Sequence, residues 1–259
     1  MLGLIDTHAH LTSETVWPLI DQVLESAKLA GVERIVNICT DKETLIRGLQ
    51  LVQEYSWISN VAATTPHDVE KEGEAFFSVV ENAVKQQKLI AIGETGLDYH
   101  YEHSPRKQQE EFLRRYFELA KHCHLPIVIH CRNAFEDLFR IADEQYKNLP
   151  LLLHCFTGTL DEAKKALLRG WKISFSGMIT FKKSEALRLV AKEIPIESLF
   201  IETDTPYLAP QSRRGHMNQP AFLVETATCI AGIKQMHFED LVSMTTQNAL
   251  QFFAWSKQT

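Results

Sequence analysis

The chain has 259 residues, 45% of them hydrophobic and 23% charged, with 33 acidic against 27 basic side chains and a formal charge of −6. This composition excludes a disordered or fibrous chain, and the length suffices to bury roughly 70–75% of the unfolded surface around one large core. A net acidic chain does not hold polyanions by bulk charge, so any contact with phosphate requires a local basic patch or bound cations.

Leu4-Ile5 opens the first predicted strand and runs into Asp6-Thr7-His8-Ala9-His10. Val16, Leu19, Ile20, Val23, Leu24, Ala27 and Ala30 then recur at helical spacing, with Gly31 as the expected C-terminal cap. The second apolar run is Ile35 to Ile38. The third, Ile58 to Ala63, leads to Thr65-Pro66-His67, and the fourth, Leu89 to Ile92, leads to Gly93-Glu94. Phe112, Leu113, Tyr116, Phe117 and Ala120 mark a helix that starts near Pro105. Ile127 to Ile129 precedes His130, and Leu151 to Leu153 precedes His154. A helix through Leu160, Ala163, Leu167 and Leu168 closes at Gly170. Ile173 to Phe175 is the seventh run, and Leu199 to Ile201 the eighth, ending in Glu202-Thr203-Asp204. Residues 206–220 form the longest irregular stretch.

These runs are near-continuously apolar and rich in β-branched residues, as strands buried on both faces must be. Eight of them, alternating with helices at about 25–35 residues per unit, predict a parallel sheet with crossover helices. The count and length match a closed (β/α)₈ barrel spanning residues 1–259 as one domain. A doubly wound open sheet is the alternative, but no glycine-rich phosphate loop follows the first strand.

In a barrel, the C-terminal strand ends share one mouth, where barrel enzymes carry their chemistry. That mouth collects His8, His10, His67, Glu94, His130, His154, Glu202 and Asp204. A single strand-end histidine is ordinarily a hydrogen-bonded structural residue. Histidines at several strand ends, with carboxylates at two others, instead form a nitrogen and oxygen ligand set for one or two divalent cations. Cys131 and Cys155 each follow a histidine, so strand alternation turns them away as packing residues. His100, His103, His122, His124 and His237 are expected at the surface. The five cysteines are odd in number and scattered, which suits reduced thiols and a cytoplasmic location. The opening residues, from Met1 to Asp6, do not read as a signal peptide, and no apolar run reaches the roughly 20 residues of a membrane span.

Five motifs extend the reading beyond residue types. They are Ile5-Asp6-Thr7-His8-Ala9-His10-Leu11, Ile92-Gly93-Glu94-Thr95-Gly96-Leu97-Asp98-Tyr99, Pro126-Ile127-Val128-Ile129-His130-Cys131-Arg132, His154-Cys155-Phe156-Thr157-Gly158 and Ile201-Glu202-Thr203-Asp204-Thr205-Pro206-Tyr207. In this order they resemble the TatD family of metal-dependent hydrolases, a deoxyribonuclease group of the amidohydrolase superfamily, from Leu4 to about Phe253. The resemblance implies a barrel, two divalent cations and phosphodiester hydrolysis of DNA or an oligonucleotide. It implies that His8 and His10 hold one cation, that His130 and His154 hold the other, and that Glu94 bridges them. Asp204 would bind the first cation and take a proton from the attacking water. Arg132, His67 and Tyr207 are candidate substrate contacts, with Arg213 and Arg214 further out in the last loop. Zn, Mn, Co and Mg all suit such ligands.

Two positions depart from the family pattern. Thr65-Pro66-His67 stands where His-Pro-His is usual, and Asn218-Gln219-Pro220 where Asn-Glu-Pro is usual. Neither is among the six ligand positions. A deacylase or lactonase using the same cations is the alternative enzyme reading, because barrels change substrate through their loops. A silent scaffold would have no need of the complete ligand set. No obligate protein partner is expected.

Overall fold

The eight apolar runs form eight strands in a computed structural model that describes residues 3–255; Met1, Leu2 and residues 256–259 lie outside the described residues. The strands are β1 (Leu4–Ala9), β2 (Val32–Cys39), β3 (Ile58–Ala62), β4 (Ala91–Asp98), β5 (Ile127–Arg132), β6 (Leu151–Leu153), β7 (Lys172–Phe175) and β8 (Leu199–Ile201). They pair in parallel in chain order, which is the order expected of a right-handed barrel built from successive crossovers. β8 returns to β1 through an Ala9–Thr205 bridge. There the Asp204 N–H donates to the His8 carbonyl at 2.9 Å, and the His10 N–H donates to the Thr205 carbonyl at 2.7 Å. The seam of the barrel is therefore also what holds the first and last motifs together.

Alternation along each strand sorts the core into two layers. Ile5, Val36, Ile38, Val61, Ala91, Val128, Leu152 and Phe200 fill the barrel, with Ala249 and Phe253 packed against them. The intervening positions, such as Ile35, Ile127 and Ile173, pack under the surrounding helices. Those helices are α1 (Ile20–Leu29), α2 (Lys42–Glu54), α3 (Val69–Lys85), α4 (Arg106–Cys123), α5 (Phe135–Gln145), α6 (Leu160–Leu168), α7 (Glu185–Glu193), α8 (Leu223–Lys234) and α9 (Phe238–Phe252). None of the described helices is long and apolar enough to cross a membrane.

Several boundaries differ from the pattern in the sequence, two of them for plain physical reasons. The helical spacing begins at Val16, yet α1 starts at Ile20 after a short 3₁₀ turn at Trp17–Leu19. Pro18 lacks an N–H and is accommodated only in a first turn. β4 runs on to Asp98, so that Glu94 lies inside a strand instead of at its end. Residues 94–98 read Glu-Thr-Gly-Leu-Asp and interrupt the apolar run, so that run does not reveal them. Pairing with β5 continues through Gly96–His130 to Asp98–Arg132, and a Cβ on Gly96 would sit 1.9 Å from the His130 carbonyl oxygen. That approach, with φ +145°, is why the motif carries glycine at Gly96.

Candidate metal centre

At the C-terminal mouth of the barrel lies a cleft of about 1090 Å³. His10, Glu94, His130, His154 and Asp204 line it, as do His67, Arg132 and Tyr207. His8 is fully buried just beneath, its ring stacked on His154 at 3.8 Å between centroids. β1 delivers His8, and the turn after it His10. β4 delivers Glu94 and β5 delivers His130. His154 follows directly on β6, and Asp204 stands three residues after the end of β8.

Glu94 occupies the middle of the arrangement. Its Oε1 lies 3.0 Å from His154 Nε2 and 3.1 Å from His130 Nδ1. Its Oε2 lies 3.3 Å from His8 Nε2 and 3.6 Å from His10 Nε2. Asp204 Oδ1 completes the second group, 3.7 Å from His8 Nε2 and 3.5 Å from His10 Nε2. The four residues His8, His10, Glu94 and Asp204 thus enclose a point with N···O separations of 3.3–3.7 Å. Donors about 2.0–2.2 Å from a tetrahedral cation lie roughly 3.3–3.6 Å apart, whereas hydrogen-bonded nitrogen and oxygen lie nearer 2.9 Å. The spacing fits ligands. His8 agrees with this, because it is fully buried and neither ring nitrogen has a hydrogen-bond partner. Orphaning a buried polar group costs about 1–3 kcal/mol, and a cation at Nε2 would remove that cost on one side of the ring. His8/His10/Asp204 and Glu94/His130/His154 form two groups suited to divalent cations.

The charges are strongly coupled. Burial opposes ionisation of Glu94, but the histidines around it, His154 foremost, hold its carboxyl well below the usual range. Burial likewise opposes protonation of His154, yet Glu94 and Glu202 drive its pKa well above 6.5. His130 and His10 are also raised against the effect of burial, by Asp98 and Glu94 in one case and by Asp204 and Glu94 in the other. His8 goes the other way, lowered by burial and by the neighbouring His154.

Three acids outside the expected ligand set support the site. Asp98 Oδ2 accepts from His130 Nε2 at 2.8 Å. Glu202, fully buried, accepts the Cys155 N–H at 2.6 Å through Oε1, which lies 3.5 Å from His154 Nδ1. Asp6 accepts from the Thr203 N–H at 2.9 Å and the Thr203 hydroxyl at 2.6 Å, tying the first motif to the last. Burial pushes the Asp6 carboxyl up to about 7. Asp98 has a sequence signal, since it sits four residues after Glu94 and so shares its side of an extended strand.

The candidate substrate contacts divide. Arg132 lies over the ring of Tyr101 at 4.7 Å, and among the described residues no carboxylate approaches it within 4.0 Å. His67 Nε2 is 3.7 Å from Asp98 Oδ2, and Tyr207, 58% exposed, meets the edge of His10. Arg213 and Arg214 do not reach the cleft. Arg213 pairs with Glu225 and covers Phe222, while Arg214 covers Phe181. His100 and His103 are exposed as expected, but they stand in the rim loop, against Tyr101. Thr65 donates to Asp68 at 2.9 Å, and Asn218 pins the last loop through Thr203 and Tyr207 carbonyls.

Cys155 corrects the expectation drawn from strand alternation. β6 ends at Leu153, Cys155 adopts φ +43°, and its side chain reaches the cleft with Sγ 3.4 Å from Ser176 Oγ. Cys131 is buried yet also contributes to the cleft wall. Burial pushes both thiols well above their ordinary pKa, which disfavours the thiolate that a cation requires.

Comparison with known proteins gives the same arrangement a lineage. A family model described as TatD related DNase matches residues 5–254. YabD of Bacillus subtilis (strain 168), an uncharacterized metal-dependent hydrolase, is 39% identical over 251 residues, covering 96% of this chain and 98% of its own. YcfH of Escherichia coli (strain K12), named in the same terms, is 32% identical over 260 residues, covering 96% and 95%. The crystal structure of YJJV, a TatD homologue from Escherichia coli K12, is similar with a TM-score of 0.93 at 25% identity, covering 99% of this chain and 100% of that one. With its barrel, its ligand groups and these relatives, the chain belongs to the TatD family of metal-dependent hydrolases.

Proposed function

We propose that this protein is a deoxyribonuclease that hydrolyses phosphodiester bonds of DNA or oligonucleotides with two divalent cations, the whole of residues 1–259 acting as one catalytic domain in the cytoplasm. The observation that carries this reading is the position of Glu94, with one carboxylate oxygen turned to His130 and His154 and the other to His8 and His10. Two donor groups sharing one carboxylate suit a two-cation site. Bound there, divalent cations would supply Lewis acidity, activating water and offsetting phosphate charge. That also answers the charge balance of an acidic protein acting on a polyanion. The ligands admit Zn, Mn, Co or Mg.

The side chains have distinct tasks. His8, His10 and Asp204 hold one position, His130 and His154 the other, and Glu94 serves both. Asp204 is the general base, since it lines the cleft and reaches His8 and His10 with only one of its oxygens. Arg132 engages a phosphate oxygen, for which a guanidinium without a carboxylate partner is available. His67 and Tyr207 flank the same cleft and orient the substrate. The DNase description of the matching family model supports the choice of bond. Incubating the protein with single-stranded DNA oligonucleotides, and in parallel with amide and lactone panels, with and without EDTA, tests the assignment. EDTA-sensitive cleavage confined to oligonucleotides is expected, and turnover confined to amides or lactones would overturn it.

A further inference from the structure

Asp98 uses both of its carboxylate oxygens, and it uses them on different parts of the site. Oδ1 accepts the N–H groups of His100 at 2.9 Å and Tyr101 at 2.8 Å, the first residues of the rim loop after β4. Oδ2 accepts from His130 Nε2 at 2.8 Å. The side chain is buried, and its own N–H donates to Gln109 Oε1 at 2.7 Å, so the carboxylate has little freedom to turn. A carboxylate accepts hydrogen bonds only, so it keeps a proton on Nε2 and leaves Nδ1 facing Glu94 Oε1, 3.1 Å away.

We infer that Asp98 is a positioning residue for the metal centre, holding His130 with Nδ1 inward and coupling that imidazole to the rim loop that carries Tyr101. His154 shows the opposite arrangement: Nε2 faces Glu94 at 3.0 Å, and Nδ1 faces Glu202 at 3.5 Å. The two histidines of one donor group therefore present different nitrogens, each with a carboxylate behind it. Such outer partners fix ring orientation and raise ligand basicity, and their loss weakens metal affinity by about 10–100-fold. The loop arm matters because Arg132 lies over the Tyr101 ring, so one carboxylate sets both a ligand and the platform of a substrate contact. The role of Asp98 rests on the reading of His130 as a cation ligand.

Asp98→Asn separates the two arms, because an amide offers one acceptor oxygen where the carboxylate offers two. That oxygen goes to the two fixed loop N–H groups, which leaves the amide NH2, a donor, facing His130 Nε2 and removes the acceptor behind that ring. Ser104→Ala is the matching control. Ser104 Oγ anchors the same loop by donating to the His67 carbonyl at 2.7 Å and accepting the Glu70 N–H at 3.3 Å, without touching His130. The full-length protein is titrated with Zn²⁺ against a chromophoric chelator, and histidine ring nitrogens are followed by ¹⁵N NMR in the Zn²⁺-loaded state. In the wild type, His130 is expected to keep its proton on Nε2 and His154 on Nδ1. Asp98→Asn should weaken one of two Zn²⁺ equivalents about 10–100-fold while the other is unchanged, and Ser104→Ala should bind both as the wild type does. Wild-type affinities in Asp98→Asn, an equal loss in Ser104→Ala, or a wild-type His130 protonated on Nδ1 would each overturn the role. The last measurement needs no variant and stands even where Asp98→Asn does not fold. A wild type that takes up no Zn²⁺ would overturn the ligand reading as well, whereas failure to cleave DNA would leave every one of these metal readouts intact.

Discussion

Replacing Glu94 by glutamine tests the centre at the residue on which both donor groups depend. The amide keeps the shape of the side chain and removes its charge. Glu94 is buried, with Oε1 at 3.0 and 3.1 Å from two imidazoles and Oε2 at 3.3 and 3.6 Å from two more. A charge-assisted contact is worth about 1.5–3 kcal/mol, so one lost per cation corresponds to about 10–150-fold in each affinity. The two losses compound where both cations must be present together, giving roughly 10²–10⁴-fold in activity at limiting metal. Calorimetric titration with Zn²⁺, followed by oligonucleotide turnover at fixed free metal, reads both quantities, and circular dichroism reports whether the barrel persists. A Glu94→Gln variant that binds two cations with wild-type affinity, or turns over at the wild-type rate, would refute the bridging position.

Asp204→Asn preserves shape and one ligating oxygen but accepts no proton near neutral pH. At saturating metal it should therefore lower kcat by roughly 10²–10⁴ with little change in KM, and full recovery on adding metal would reduce Asp204 to a ligand. Arg132→Ala should cost about 10–200-fold in kcat/KM with metal affinity unchanged, the worth of one charge-assisted phosphate contact; an unchanged kcat/KM would remove Arg132 from the substrate. The metal-stripped protein should lose stability as pH rises above 6.5, because the folded-state pKa values of His10, His130 and His154 are raised. Their stabilisation is fully present below the unfolded value of 6.5 and disappears as pH climbs through the folded values; lowered His8 acts only below 6.5, and Glu94 only at acid pH. Added Zn²⁺ should raise Tm increasingly over the same range, since protons then compete less for the ligands, and a metal-stripped Tm that rises from pH 6.5 to 8 would contradict the coupling.

Much of this molecule is legible before any coordinates because a barrel makes two demands on its sequence at once. Strands buried on both faces must be apolar, so Ile35 to Ile38 or Ile127 to Ile129 announce themselves as strands. The mouth must then hold the chemistry, so the polar residues that interrupt those runs mark the candidate ligands. His130 and His154 follow apolar runs directly and are found by that rule. Glu94 is found by the same rule, although its strand continues four residues beyond it, because Glu94 itself is the interruption. Asp98 is marked only by its even spacing from Glu94, because a strand that has already turned polar gives no second interruption. Its role depends on β4–β5 register, which sets Asp98 opposite Arg132 and brings its carboxylate to His130, a pairing across 32 positions that no local pattern encodes.

Cys155 departs from the alternation, and the side chains of Arg213 and Arg214 find their partners, for a related physical reason. Alternation holds only while the chain is extended, and β6 stops at Leu153, so the next residues obey turn geometry instead. The direction of Arg213 and Arg214 is decided by partners that lie elsewhere in the chain. Glu225 and Phe222 hold the first, and Phe181, itself on the cleft wall, holds the second, so neither arginine lines the cleft directly. Positive charge at the mouth then comes from Arg132, from Arg47, which is paired with Glu43, and from whatever cations the histidines and carboxylates hold. A substrate phosphate would therefore meet a site whose attraction depends on metal occupancy, and stripping the metal should weaken DNA binding as well as hydrolysis.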